Sequence, residues 1–183
     1  MRFASQRAWE AWLEEHHASS PGVWLELAKQ GASQPTLSYA EAVEGALRYG
    51  WIDGQKGAID AASWKQRFTP RGPRSRWSRI NREKAEALIR ARRMKPAGLR
   101  EVERAREDGR WNAAYESQSR AAVPGDLQRA LDASPKAKAF FATISSANRY
   151  AILYRVQDAK KPETRARRIA QFVAMLEEGK TLH

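Results

Sequence analysis

Seven basic side chains fall within eighteen residues: Lys65, Arg67, Arg71, Arg74, Arg76, Arg79 and Arg82. Trp64, Phe68 and Trp77 are interleaved with them, and no acid occurs between residues 61 and 82. Guanidinium groups grip phosphates and carboxylates with paired hydrogen bonds, and flat aromatic rings stack on bases. The stretch therefore fits either a nucleic-acid-binding surface or a fixed site for a small anion. Asp53 and Gln55, in the string WIDGQ just upstream, are the polar residues placed to join such a site. Asp53 would orient an arginine through a paired hydrogen bond. The candidate ligand-binding set is thus Asp53, Gln55, Arg67, Arg71, Arg74, Arg76 and Arg79. A second cationic cluster, Lys160, Lys161, Arg165, Arg167 and Arg168, opens a later helix. Positive charge there opposes the helix dipole, a cost that an anionic partner would offset.

Other chemistries find little support. The histidines are His16, His17 and His183. Adjacent helical residues point about 100° apart, so His16 and His17 cannot chelate one metal as an i, i+4 pair would. No G-x-S-x-G elbow and no phosphate-cradling glycine loop is present. The chain has no cysteine, which excludes disulfides, thiolate metal sites and cysteine nucleophiles. No catalytic residue, metal or cofactor is assigned. A small enzyme acting on an anionic metabolite, with Asp53 as its acid–base group beside Trp51, Gln55 and Arg67, remains an alternative. A protein-docking role for the helical half is another.

Charge supports an anionic partner. The 183 residues carry a formal charge of +12, distributed as −3 over residues 1–63, +10 over 64–110 and +5 over 111–183. No run of 18 apolar residues and no apolar leader occurs, so a cytoplasmic protein without a membrane span is expected.

The elements that must position these side chains can be read from periodicity. Trp9, Trp12, Leu13 and His16 share a helix face behind a Ser5 cap. Val23, Leu25 and Leu27 alternate with Trp24 and Glu26, as in a strand. Ser38 and Glu41 form a capping box, Leu37 a staple, and Gly50 a helix stop. Trp51 and Ile52 begin a strand that Asp53-Gly54 turns. Trp64, Gln66 and Phe68 alternate with Lys65, Arg67 and Thr69 in the next strand. That alternation points the aromatics inward and the cations outward. Residues 31–35 read as loop, and residues 69–75, with two prolines and a glycine, are irregular. Helices follow from Ser78 or Asn81 to about Arg93, from Pro96 to Gly109, around Leu127–Leu131, from Pro135 behind Ser134, over 147–157 as a segment buried on most sides, and from Pro162 to Gly179. The expected fold is α+β. Residues 1–80 hold a small antiparallel sheet with its helices, and residues 81–183 form a helical part.

Several strings, in order, resemble the YdeI/OmpD-associated family, whose members are also labelled bacteriocin-protection proteins. They are WLEEHHASSPGVWLELAK, LSYAEAVEGALRYGWIDGQ, QRFTPR followed by SRWSRIN, MKPAGLREVERAREDGRWNAAY, VPGDLQRAL and NRYAILYRVQDAKKPETRARRIAQFVAMLEEGK. The resemblance spans nearly the whole chain. It implies a two-part α+β protein with a helical C-terminal module, and a role in tolerance to bacteriocins or envelope stress. It brings no catalytic residue and no cofactor. One departure is local: Gly72 follows Arg71 where similar proteins carry consecutive arginines.

Overall fold

The computed structural model describes residues 1–32, 36–116 and 121–183. The expected loop at 31–35 lies partly outside them. Two compact units are present, Met1–Ala114 and Tyr115–His183.

The first unit contains α1 (Gln6–His16), β1 (Val23–Ala28), α2 (Tyr39–Arg48), β2 (Trp51–Ala58), β3 (Ser63–Pro70), α3 (Arg79–Arg90) and α4 (Pro96–Glu107). The strands form an antiparallel sheet in the order β1-β3-β2. Capping residues set the helix starts. The Ser5 and Ser78 hydroxyls accept from the Ala8 and Asn81 amides, and Ser38 with Glu41 completes a reciprocal capping box. Gly50 closes α2 at φ 75°, a conformation that a side chain would strain. Val23, Leu25, Leu27 and Phe68 turn one sheet face onto Trp9 and Leu13 of α1 and Val43, Ala46 and Leu47 of α2. Ala85, Leu88, Val102, Ala105 and Trp111 join the same core, so α3 and α4, which follow residue 80, belong to it.

The expected turn is corrected. Asp53-Gly54 does not turn the chain. β2 continues through it to Ala58, and the register shifts between Asp53 and Lys56. Gly54 and Gln55 together oppose the single residue Arg67, a β-bulge that absorbs the extra residue. The reversal lies at Asp60, whose carboxylate accepts from the Ala62 and Ser63 amides at 2.8 and 2.7 Å.

The second unit contains α5 (Gly125–Asp132), α6 (Pro135–Thr143), α7 (Ser146–Asp158) and α8 (Pro162–Glu177). Leu127, Leu131, Phe141, Ile152, Val156, Ile169, Phe172 and Leu176 form its core. α7 was expected to be buried on most sides, but only Ile152, Leu153 and Val156 are. Arg155, Gln157 and Asp158 reach solvent from its other face. Among the described residues no helix is long and apolar enough to cross a membrane.

Candidate anion-binding site

β3 is the middle strand, and its alternation separates two environments. Gln66 and Phe68 are buried on the helix side, where the Phe68 and Trp9 rings lie 5.8 Å apart. Lys65, Arg67 and Thr69 occupy the other face. In the register Trp24 of β1 stands directly opposite Arg67. Lys65 Nζ lies 5.0 Å and the Arg67 guanidinium carbon 5.9 Å from the centre of the Trp24 ring. Lys65 is exposed, and Trp24 and Arg67 are half-buried. Glu26, the residue across from Lys65, is engaged 3.7 Å from Arg2 instead. Among the described residues neither Lys65 nor Arg67 has a carboxylate partner. Glycines flank this surface. A Cβ at Gly22 would lie 2.9 Å from Arg67 Nη2, and one at Gly57 would lie 3.1 Å from Lys65 Cε.

Asp53 is on the opposite face. It pairs across the sheet with Phe68 and accepts a 2.6 Å hydrogen bond from the Tyr39 hydroxyl. Gln55 is exposed within the bulge, while the Gln66 side chain donates to the Gly54 carbonyl at 2.7 Å. Trp51 is buried and donates to the His17 carbonyl. Asp53 and Arg67 therefore do not meet.

Beyond Pro70, Arg71 serves the loop. Arg71 is only 5% exposed. Its guanidinium lies 3.6 Å from the centre of the Trp77 ring, and Nη1 donates to the Arg76 carbonyl at 3.2 Å. Trp77 is itself buried edge-on against Trp111, 4.8 Å between ring centres. Arg104 bonds the Arg71 carbonyl and pairs with Glu101. Arg110 bonds the Ser75 carbonyl at 2.7 Å and pairs with Asp108, holding that carboxyl below its ordinary range. Arg82 reaches the Trp111 carbonyl at 3.4 Å. The segment 71–78 is thereby stapled to α4 and the turn after it. Arg74 and Arg79 are exposed and Arg76 is half-buried.

The second cluster divides in the same way. Arg165 makes a two-pronged pair with Asp126, at 2.5 and 2.9 Å, and donates to the Val156 carbonyl at 2.8 Å. This pair pulls the Asp126 carboxyl down to about 2. Arg168 bonds the Arg155 carbonyl and lies 3.7 Å from Asp158. Lys160, Lys161 and Arg167 are exposed. In the same unit a groove of about 650 Å³ runs between α5 and α8, lined by Ala130, Ala133, Ala166, Ala170, Val173 and Ala174. His16 stacks on Trp12, and both His16 and His17 bond carbonyls of their own helix. Among the described residues no three His, Asp or Glu side chains gather to hold a metal.

Sequence reasoning missed Trp24. Alternation alone places it on the outer face of β1 and Lys65 and Arg67 on the outer face of β3. The strand pairing that unites them is long-range and carries no local mark.

Residues 1–101 match the model of a family described as a domain of unknown function (DUF8412). Residues 120–179 match that of the family described as bacteriocin-protection, YdeI or OmpD-associated. The latter covers only the C-terminal part, so the resemblance read along nearly the whole chain is narrowed to that part. No curated protein and no solved structure shows a significant match.

Proposed function

We propose that this chain, which belongs to the DUF8412 family and ends in a domain of the bacteriocin-protection, YdeI or OmpD-associated family, is a binding protein that holds an anionic ligand on the open face of its sheet. One observation carries the reading. Lys65 and Arg67 rest on the Trp24 ring with no carboxylate partner among the described residues, whereas Arg104, Arg110, Arg165 and Arg168 are ion-paired within the fold. Cations already held on a rigid strand lose little freedom on binding, and an incoming phosphate or carboxylate has no internal acid to displace. The excess of +10 over residues 64–110 adds long-range attraction. Exposed Arg74 and Arg79 add to that field. The description of the C-terminal family supports a part in bacteriocin tolerance, which we place in the cytoplasm. An enzyme built on Asp53 is not favoured, because Asp53 and Arg67 lie on opposite faces of the sheet.

The test is a titration of the protein with inorganic phosphate, citrate and a 12-nucleotide DNA strand. At least one should bind, more weakly as salt rises, and Lys65→Gln with Arg67→Gln should weaken it tenfold or more. Binding by the double variant equal to that of the parent would move the site elsewhere, and a parent that binds none of the three would end the reading.

A further inference from the structure

Resting on that reading, we infer that the ligand of the sheet face is a nucleotide unit, free or within a single strand, with its base on Trp24 and its phosphate between Lys65 and Arg67. The indole decides the class. The face of an aromatic ring is electronegative; it attracts the two cations and repels a bare anion. An inorganic anion would have to draw Lys65 and Arg67 off the ring, and would put nothing in their place. A ligand with a flat ring replaces the lost cation–π contacts by stacking, which on an indole contributes more than an exposed cation does. The phosphate then keeps both cations.

The dimensions agree. Lys65 and Arg67 are two residues apart on one strand, roughly 7 Å, and Trp24 lies on the neighbouring strand about 5 Å away. One base with its phosphate spans that area. Gly22 and Gly57 keep both ends of the platform low, because a side chain at either would press on Arg67 or Lys65. The bases of a duplex are already stacked on one another, so a duplex offers no free ring to Trp24. A single strand or a free nucleotide does.

The experiment uses the full chain and four probes: inorganic phosphate, adenosine monophosphate, a 12-nucleotide oligothymidylate and a DNA duplex of equal length. The indole N–H resonance of Trp24, identified by its loss in Trp24→Phe, reports contact, and anisotropy of labelled DNA reports affinity. The monophosphate and the oligothymidylate should both shift the Trp24 resonance, while phosphate at the same concentration should not. If only the oligothymidylate shifts it, the source is a strand; if the monophosphate binds as well as the strand does, the source is a free nucleotide. Trp24→Leu should weaken oligothymidylate binding about tenfold without changing its salt dependence, and Trp24→Phe should restore most of it. Lys65→Gln should lower the slope of log K against log salt by about 1. Equal responses to phosphate and monophosphate, unchanged affinity in Trp24→Leu, or duplex binding as tight as single-strand binding would each overturn the nucleotide assignment and leave the anion site standing. Silence from all four probes would remove the nucleotide assignment, and the anion site with it if citrate is silent too.

Discussion

Replacing Asp126 by Asn tests how the second unit is tied together. In the native pair Arg165 grips both carboxylate oxygens and also bonds the Val156 carbonyl, so one side chain joins α8 to α5 and to the end of α7. The Asp126 carboxyl moves from its ordinary 3.8 to about 2. That corresponds to about 2.4 kcal/mol of preference for the ionised form. With 34% of the Asp126 side chain in solvent, screening reduces the contribution to about 1 kcal/mol. Because the folded value lies below the unfolded one, the stabilisation is present above about pH 4 and fades as pH falls through about 2. Asp126→Asn should therefore cost about 1 kcal/mol at pH 7 and progressively less below pH 4. All seven tryptophans lie at or before residue 111, so their fluorescence reports only the first unit. Urea unfolding followed by hydrogen exchange at the Leu127 and Ile169 amides reads the second. A deficit that stays constant down to pH 2, or that is missing at pH 7, would refute the pair as a stabilising link.

Gly98→Ala should destabilise the first unit by about 1–3 kcal/mol even though alanine is the better helix former, because the added Cβ would meet the Arg48 and Leu47 carbonyls at 2.4 and 2.8 Å and backbone cannot yield there. Urea unfolding by tryptophan fluorescence gives the sign. Burial, together with the hydrogen bond to Glu14, raises the Tyr49 hydroxyl well above its ordinary 10. The unfolded chain thus releases this proton first, and stability should fall as pH rises above about 10. Tyr49→Phe should remove that alkaline loss, as unfolding curves at about pH 9 and pH 11 would show.

The parts of the fold visible in the sequence are those set by local chemistry. The Ser5, Ser38, Ser78 and Ser134 caps act within three residues, and the inward positions of β1 and β3 follow from a period of two. Asp53-Gly54 carries a strong local turn signal, but pairing with β3 on both sides of it outweighs that signal, and the extra residue becomes a bulge. The actual reversal at Ile59–Ala62 has neither glycine nor proline and is held by the Asp60 carboxylate. For the site, charge read along the chain could not separate Arg67 from Arg71. Four residues apart, one lies on an open sheet face and the other is buried on Trp77. Their difference comes from the loop folding back onto α4, a contact more than thirty residues away in sequence.

The bulge has a consequence for how copies of the chain meet. β2 is an edge strand of the sheet, and the opposite edge, β1, is bridged by Arg2. An edge with a regular ladder of unused amides and carbonyls is a template on which a second molecule can add its own strand, the first step toward aggregation. The extra residue at Gly54-Gln55 breaks the spacing of that ladder midway along β2, and exposed Lys56 adds a charge beside it. A partner strand could pair with a few residues on one side of the break but could not continue across it in register. The bulge thereby limits β2 as a template for strand addition between copies of the chain.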